Sequence, residues 1–370
     1  MSVKANNVLY RRLRQDFPHF VYEDFSTSID DSGLSIRYHF NLADRYVFHP
    51  ELFIPRKPFF RYNINESELK NLAFQIGMIE LISYWKAACS PQVIIRPAGL
   101  SRKQVAWWKN LYFHGLGEFF HTNGIAADES DFMLIRPVNK INFNPVGYDA
   151  GDQVLVPVGG GKDSAVTLEL LQQHGMKMIP FIINPRRASL DTARVAGFSR
   201  DEVFEVSRSI DPELLRLNEQ GFLNGHTPFS AVVAFNTVLA ARLTNSRHIA
   251  LSNESSANEA TIPGTNINHQ YSKSWAFEAD FRTYCAKYIT PDANYFSLLR
   301  PLNELQIARL FARAPKYFND FKSCNAGSKT DTWCGRCPKC LFTWIMLNPF
   351  VETETLERIF GKNLLDDLTG

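Results

Sequence analysis

From about residue 149 onward, short apolar runs alternate with segments whose apolar residues recur at helical spacing. Continuous apolar runs, typical of strands that are buried on both faces of a sheet, occur at QVLVPV and MKMIPFIIN. Helical spacing follows in SAVTLELLQQHG and HTPFSAVVAFNTVLAARLT, and a further strand is predicted at RHIALSN. Because strands alternate with helices, we expect an α/β fold built on a doubly wound parallel sheet.

The first 148 residues show a different pattern. Alternating polar and apolar residues predict a strand at LSIRYHFNL, and amphipathic helices are predicted over Glu66–Ala88 and Arg102–Phe120. The many aromatic residues of this region are more typical of a packed core than of a cofactor site. We therefore expect an α+β accessory or substrate domain over residues 1–148, followed by a catalytic domain over residues 149–370.

The composition of the chain bears on the kinds of partner that it is expected to bind. The chain has 370 residues, 45% of them hydrophobic, and its net charge of +2 gives no reason to expect a nucleic-acid partner. No apolar run approaches the roughly 18 to 20 residues that span a bilayer, and the first 20 residues lack the apolar segment of a signal peptide. We expect a cytoplasmic protein that binds no membrane.

A glycine-rich loop separates the first buried strand from the helix that follows it. Glycine permits positive φ and close approach of the backbone to a ligand, and a helix N-terminus offers unpaired N–H groups to an anion. Lys162 adds positive charge, Ser164 adds a hydroxyl donor, and Asp163 caps the helix or positions a metal ion on the phosphates. An ordinary turn capped by aspartate is the structural alternative. The residues predicted to bind a nucleotide here are Gly159, Gly160, Gly161, Lys162, Asp163 and Ser164.

A second polar segment, LSNESSANEA, follows the strand at RHIAL. Ligands of parallel sheets lie beyond the carboxyl ends of the strands, so we expect this segment to lie near the glycine loop. Glu254 or Glu259 is suited to ligate Mg²⁺, and Asp163 is a further candidate ligand. The alternative is a capped turn before a helix. The predicted nucleotide contacts in this segment are Asn253, Glu254, Ser255, Ser256 and Asn258.

Four of the six cysteines lie in one short segment with the spacing C-x9-C-x2-C-x2-C, namely Cys324, Cys334, Cys337 and Cys340. Two tight C-x2-C pairs allow four thiolates to share one tetrahedral ion, and four protein ligands leave no open position for water. We therefore predict a structural zinc knuckle, with an iron–sulfur cluster as the alternative. A secreted disulfide scaffold is less consistent with this clustering in a long chain.

The loop does not match the Walker or the dinucleotide-binding pattern, because Lys162 is followed by Asp163 and the spaced glycines are absent. It resembles the PP-loop, S-G-G-x-D-S, of the ATP pyrophosphatase superfamily, with Gly159 in place of the serine. With the cysteine knuckle it resembles 7-cyano-7-deazaguanine synthases of the QueC type. With LSNESSANEA and the long N-terminal region it is more similar to the MurL family of UDP-N-acetyl-α-D-muramoyl-L-alanyl-L-glutamate epimerases.

The resemblance to the MurL family implies a reaction. Such enzymes invert the terminal L-glutamate of the UDP-muramoyl dipeptide for peptidoglycan synthesis, with ATP, Mg²⁺ and release of AMP and pyrophosphate. It also implies a PP-loop fold, a nucleotide-sugar peptide as the small-molecule partner, and catalytic roles for Lys162, Asp163 and Ser164. Whether the chain forms a homo-oligomer is left open.

The residues that exchange the proton are not specified by a motif. Our catalytic candidates are Cys285, as a thiol of low pKa beside Arg282 and Lys287, together with His269 and Asp280. A buried, inert thiol is the alternative for Cys285. Further candidates for proton transfer or phosphate contact are His226, Lys273 and Glu304.

Two other functions compete with this interpretation. One is another adenylating PP-loop enzyme, either of the QueC type or a tRNA thiolase, although the near-neutral charge disfavours RNA binding. The other is a non-catalytic module that binds zinc and a nucleotide.

Overall fold

The computed structural model describes residues 3–61, 63–259, 268, 270–324, 326–327 and 330–366. The strands in these residues are β1 His19–Ile29, β2 Gly33–Leu42, β3 Tyr46–Phe48, β4 Glu51–Pro55, β5 Gln92–Ile95, β6 Leu134–Pro137, β7 Gly151–Pro157, β8 Met178–Ile183, β9 Phe204–Arg208, β10 Ser246–Leu251 and β11 Asn294–Ser297. The helices are α1 Val3–Asp16, α2 Glu66–Trp85, α3 Arg102–Gly115, α4 Gly117–Thr122, α5 Lys162–Gln173, α6 Arg187–Val195, α7 Pro212–Glu219, α8 Phe229–Thr244, α9 Trp275–Tyr288, α10 Glu304–Ala312, α11 Pro338–Leu347 and α12 Thr353–Phe360.

All of these strands belong to one sheet, in the order β11-β10-β7-β8-β9-β4-β2-β1-β5-β6, with β3 beside β2. Six of the strand pairs are parallel and four are antiparallel, so the sheet is mixed and mostly parallel. The α/β class is therefore confirmed. The strands of the N-terminal region join the same sheet through the antiparallel pair β4 and β9, which the sequence did not predict. The domain boundary after residue 148 stays a prediction.

The half of the sheet formed by β7 to β11 is entirely parallel. From β7 the chain passes outward to β8 and β9, then returns to place β10 and β11 on the other side of β7. The strand order therefore reverses between β7 and β10. In open parallel sheets, the crevice beyond the carboxyl ends of the strands at such a reversal is where ligands bind.

Both faces of this parallel half are covered by helices. Successive residues of a strand point to opposite faces, so neighbouring residues of one strand pack into different cores. In β7, Val154 and Val156 pack into a core with α5, α10 and α11, whereas Leu155 packs into the other core with α8 and α9. The sequence of helix α8 is nearly continuously apolar, and the helix is accordingly buried on most of its surface. In the described residues, no helix has both the length and the apolar character needed to cross a bilayer.

Candidate functional site

The glycine loop connects the carboxyl end of β7 to the first turn of α5. Gly160 has φ of +86°, and a Cβ atom there would lie 2.8 Å from the carbonyl carbon of Ala188 and 2.8 Å from the nitrogen of Ser189. Both the backbone conformation and the close contact with α6 therefore require glycine. A Cβ atom on Gly159 would meet no atom within 4 Å, so this position, where the resembling superfamily has serine, has room for a side chain.

Helix α5 begins at Lys162, and Gly161 is its N-cap without a capping side chain. The prediction that Asp163 caps this helix is therefore wrong, because Asp163 lies inside the first turn. Without a capping side chain, the first N–H groups of α5 are free to bind an anion. The hydroxyl of Ser164 donates to the carbonyl oxygen of Gly161 at 3.0 Å.

Lys162 is buried, and its ammonium group forms ion pairs at 2.5 Å with Asp163 and with Glu304, the first residue of α10. Burial lowers the pKa of Lys162, but the two carboxylates outweigh this effect and raise it overall. Burial, together with Asp163 and Glu254, raises the pKa of Glu304, against the opposing effect of Lys162. Lys162 is thus directed toward carboxylates and does not line the cavity described next.

A cavity of about 640 Å³ opens beside the glycine loop, at the carboxyl ends of β7, β8 and β10. This volume is in the range of small-molecule binding sites. Asp163 and Ser164 line it from α5, and Asn253 and Glu254 line it from the segment after β10. The structure therefore brings together the two segments that the sequence predicted to meet.

The rest of the NESSAN segment lies outside this cavity lining. Ser255–Asn258 forms a short 3-10 helix, and the Oδ1 atom of Asn258 accepts the N–H of Trp275 at the start of α9. Within the lining, Asn253 donates to the hydroxyl of Ser297 at 3.0 Å. The hydroxyl of Ser256 donates to Glu254 at 3.3 Å. Nucleotide contacts by Ser255, Ser256 and Asn258 stay predictions.

Three basic residues line the cavity, namely Arg186, Lys273 and Lys322. Lys273 was a candidate for proton transfer or phosphate contact, whereas Arg186 and Lys322 were not predicted as site residues. Arg186 follows the carboxyl end of β8, so its place in the chain was the available signal. Lys322 precedes the first cysteine of the knuckle by two residues, and only the tertiary fold brings it to the glycine loop.

The four cysteines form one cluster, the cysteine cluster, with all four sulfur atoms within 4.8 Å of one another. The Sγ–Sγ distances are 3.7 Å for Cys324 and Cys337, 3.8 Å for Cys334 and Cys340, and 3.5 Å for Cys337 and Cys340. Zn–S bonds of about 2.3 Å in a regular tetrahedron place sulfur atoms about 3.8 Å apart. The donor set therefore fits a zinc ion.

The surroundings of the cysteine cluster agree with anionic sulfur. The N–H groups of Gly327 and Cys334 donate to the sulfur of Cys324 at 3.1 and 3.4 Å. The N–H of Arg336 lowers the pKa of Cys334 to about 6. Burial and the neighbouring thiols raise the pKa of Cys340 to about 12, an effect that a bound cation would reverse.

The segment that carries the cysteine cluster contacts the glycine loop. The N–H of Lys322 donates to the carbonyl oxygen of Gly160 at 2.7 Å. Arg187 and Ala188 are the first residues of α6, and their N–H groups donate to the carboxylate of Asp331 at 3.2 and 3.4 Å. Cys324 itself lines the cavity. The segment that carries the cysteine cluster therefore contacts the glycine loop, the cavity and α6, the helix against which Gly160 packs.

The proposed proton-transfer residues are placed unequally. Cys285 is buried in the core, its thiol 3.7 Å from the carbonyl oxygen of Thr290, and burial raises its pKa to about 12. The prediction of a thiol of low pKa is therefore wrong. Asp280 is exposed on α9 and does not line the cavity, and burial raises its pKa. His226 is 3.3 Å from Glu118, away from the lining, and His269 lies outside the described residues.

Comparisons with known proteins give a consistent result. A family model described as the MurL N-terminal domain matches residues 11–298, and one described as the MurL C-terminal domain matches residues 320–370. Proteins named UDP-N-acetyl-alpha-D-muramoyl-L-alanyl-L-glutamate epimerase are similar to this chain. The protein of Xanthomonas oryzae pv. oryzae is 37% identical over 333 residues, which cover 85% of this chain and 71% of that protein.

The proteins of Salinispora tropica and a Micromonospora species carry the same name. They are 38% identical over 79% of this chain and 36% identical over 78% of it. The alignments cover 64% and 65% of those two proteins, so the shared region is about two thirds of their length.

Proposed function

The chain belongs to the MurL family, and from this premise we propose that it is an epimerase that inverts the terminal L-glutamate of UDP-N-acetyl-α-D-muramoyl-L-alanyl-L-glutamate to D-glutamate. The observation that carries the proposal is the meeting of the glycine loop and the Asn253–Glu254 segment in one cavity. The product is a peptidoglycan precursor. This activity is drawn from relatives of which the chain matches about two thirds.

The reaction has a chemical obstacle that an ATP-binding site addresses. The α-proton of a glutamate carboxylate is very weakly acidic, because its removal places two negative charges on adjacent groups. Attack of that carboxylate on the α-phosphate of ATP would release pyrophosphate and form an acyl-adenylate, which removes one charge and provides an electron sink, so that a base can take the α-proton. Return of a proton to the opposite face, followed by hydrolysis of the acyl-adenylate, releases the inverted product and AMP.

The glycine loop is the proposed site for the phosphates of ATP. Its backbone and the uncapped N-terminus of α5 offer N–H groups, and the positive end of the helix dipole favours an anion. The glycine loop follows β7, where the strand order β11-β10-β7-β8-β9 reverses, and this position supports the proposal because ligands of open parallel sheets bind beyond such a reversal. The loop is held in place by the hydrogen bond from the N–H of Lys322 to the carbonyl oxygen of Gly160 and by the packing of Gly160 on α6.

Carboxylates beside the loop are suited to a magnesium ion. Asp163 and Glu254 line the cavity, and hard oxygen ligands of this kind are those that Mg²⁺ prefers. Bound there, Mg²⁺ would neutralise phosphate charge. Glu304 lies close enough to Asp163 and Glu254 for both to raise its pKa, and it keeps Lys162 charged and directed inward. We assign Glu304 the role of positioning Lys162.

The proposal is tested by incubating the protein with ATP, Mg²⁺ and the UDP-muramoyl dipeptide, then hydrolysing the product and separating the glutamate enantiomers. We expect D-glutamate and AMP to form together, and neither to form when ATP is omitted. AMP formation without D-glutamate would indicate a different adenylating enzyme. D-glutamate formation without ATP would refute the adenylation step.

A further inference from the structure

A second depression lies along the outer side of α9. It has a volume of about 660 Å³ and includes Trp275, Arg282, Arg247 and the segment Pro291–Asn294. Its members on α9 recur at helical spacing, so they form one exposed face of the helix. We call this depression the α9 groove.

The α9 groove begins near the cavity beside the glycine loop. Helix α9 lies in the crossover between the parallel strands β10 and β11, so it runs antiparallel to them. Its N-terminus therefore lies on the side of the sheet where the strands have their carboxyl ends and where the cavity lies. Its C-terminus lies on the side where the strands begin. Lys273 lines the cavity, and Trp275, two residues later, lines the groove. The cavity and the α9 groove therefore approach each other at the N-terminus of α9.

The chemistry of the α9 groove suits an anion attached to a ring. Arg282 and Arg247 are exposed, and Arg282 has no hydrogen-bond or ion-pair partner within the described ranges of the chain. The side chain of Arg247 donates to the carbonyl oxygen of Ala150 at 3.1 Å. Trp275 is 52% exposed, which is unusual for so large an apolar side chain. The one carboxylate of the groove, Asp292, already accepts the N–H of Tyr148 at 2.8 Å.

We propose that the α9 groove binds the nucleotide-sugar end of the substrate, with Trp275 against the hexose ring and Arg282 and Arg247 on the diphosphate. This inference rests on the proposed function, because it takes the substrate from there. Guanidinium groups bind phosphate oxygens through paired N–H groups, and indole faces pack against rings.

The order of groups supports this assignment. In the substrate the glutamate is at one end, and the sugar and then the diphosphate follow toward the other end. In the protein the cavity comes first, then Trp275, then Arg282, which is seven residues or about 10 Å farther along α9. With the glutamate in the cavity, the sugar reaches Trp275 before the diphosphate reaches Arg282.

The test compares Arg282→Ala and Arg247→Ala with the matched control Lys287→Ala, whose side chain is exposed on the same helix but does not line the groove. Each arginine variant should raise the KM for the UDP-muramoyl dipeptide about tenfold, as expected for loss of a charge-assisted contact. It should leave kcat and the KM for ATP within about twofold. The dissociation constant of UDP, measured by calorimetry, should rise in parallel. The control should match the wild type.

Two results would overturn the inference. The first is an unchanged KM and unchanged UDP affinity in both arginine variants. The second is UDP binding that a non-hydrolysable ATP analogue displaces competitively, because UDP would then occupy the glycine-loop cavity. Failure of the proposed function is distinguishable, because the wild-type protein would then form no D-glutamate, while calorimetry with UDP would still test the α9 groove.

Discussion

At the scale of single residues, Gly159 and Gly160 are adjacent but differ in what they tolerate. Gly160 has a left-handed backbone and no space for a Cβ atom against α6, whereas Gly159 has space and a permissive conformation. Glycine at position 160 is therefore required by the fold of the loop. Glycine at position 159 leaves room for a side chain, and the PP-loop that this loop resembles has a serine hydroxyl at that position.

Gly160→Ala should destabilise the protein by about 1 to 3 kcal/mol, because the new methyl group meets backbone atoms in a strained conformation. It should also weaken ATP binding by moving the loop. Gly159→Ala and Gly159→Ser should leave the free energy of unfolding within about 0.5 kcal/mol. Urea unfolding and calorimetric titration with ATP measure both effects. Equal destabilisation by Gly160→Ala and Gly159→Ala would contradict this account.

Asp163→Asn should reduce AMP formation at least about a hundredfold, because it removes a proposed ligand of the Mg²⁺ ion that would neutralise the phosphates. Lys162 keeps its ion pair with Glu304, so the variant should still fold. The exposed Asp152→Asn is the control and should have wild-type activity. The measurement is the initial rate of AMP release, with circular dichroism to confirm folding. Wild-type activity in Asp163→Asn would mean that the loop is only a structural turn.

Local spacing determines a turn between strand and helix, and Gly159, Gly161 and Asp163 of the predicted loop line one cavity, whereas Gly160 does not. Their contact with a nucleotide stays a prediction. The sequence did not predict where Lys162 points, because its partner Glu304 is 142 residues away. Cys285 was misjudged for a similar reason. Its neighbours in sequence, Arg282 and Lys287, are exposed on α9 while the thiol faces the core.

At the scale of structural elements, the segment from Lys322 to Cys340 connects the cysteine cluster to the glycine loop. Its contacts run from Lys322 to Gly160 and from Asp331 to the N-terminus of α6. The spacing of the four cysteines predicted that they would lie together as a donor set that fits a zinc ion. It did not predict these contacts, which depend on how the segment packs against the sheet.

Removal of the metal ion should therefore weaken ATP binding. A chelator should release one zinc ion per chain, detected by mass spectrometry, and should raise the dissociation constant of ATP at least about tenfold. Asp331→Ala should keep the zinc ion but weaken ATP binding, because it removes the acceptor of the first two N–H groups of α6, a contact comparable to a helix cap and worth about 1 kcal/mol. The exposed Asp152→Asn again serves as the control. Unchanged ATP affinity after zinc release would refute this link.

Lys86, just after α2, holds the loop that leads into α8. Its ammonium group donates to the carbonyl oxygen of Gly225 and, at 2.8 Å, to the hydroxyl of Thr227. The cavity residues Phe229 and Ser230 follow directly at the start of α8. Burial, with a smaller effect of Arg208, lowers the pKa of Lys86 to about 8 from 10.5.

This shift predicts a pH dependence of stability. Between pH 8 and 10.5 the unfolded chain binds the proton of Lys86 more than the folded chain does, so this group makes the free energy of unfolding rise with pH. From pH 7.5 to 9.5 the wild type should gain about 2 kcal/mol relative to Lys86→Met. Urea unfolding at both pH values measures the difference. The same pH dependence in both proteins would show that Lys86 has an ordinary pKa.

Strands β7, β8 and β10 and helices α5 and α8 of the parallel half were predicted, because buried strands and amphipathic or fully apolar helices leave clear patterns. Strand β11 and helices α9 and α10 were not predicted. The join between the two halves of the sheet was not predicted either. Strands β4 and β9 pair through only two residue pairs, Leu52 with Arg208 and Phe53 with Ser207. So short a pairing between strands about 150 residues apart leaves no periodic signal in the sequence.

At the scale of the whole molecule, buried ion pairs link the N-terminal region to the parallel half. Arg208 of β9 pairs with Glu80 of α2, and Arg242 of α8 pairs with Glu68 of α2. Loss of one partner of such a pair typically costs about 3 to 5 kcal/mol. The N-terminal region therefore supports α8, one wall of the cavity, in addition to contributing its own strands.

The central claim is that the chain epimerises a glutamate through an activated carboxylate. The most direct measurement is incubation with the UDP-muramoyl L-Ala-L-Glu substrate, ATP and Mg²⁺ in D₂O, followed by mass spectrometry of the glutamate and quantification of AMP. We expect one deuterium at the α-carbon of the D-glutamate product and AMP formation that requires the substrate. Absence of deuterium from the α-carbon, together with no AMP, would contradict this claim.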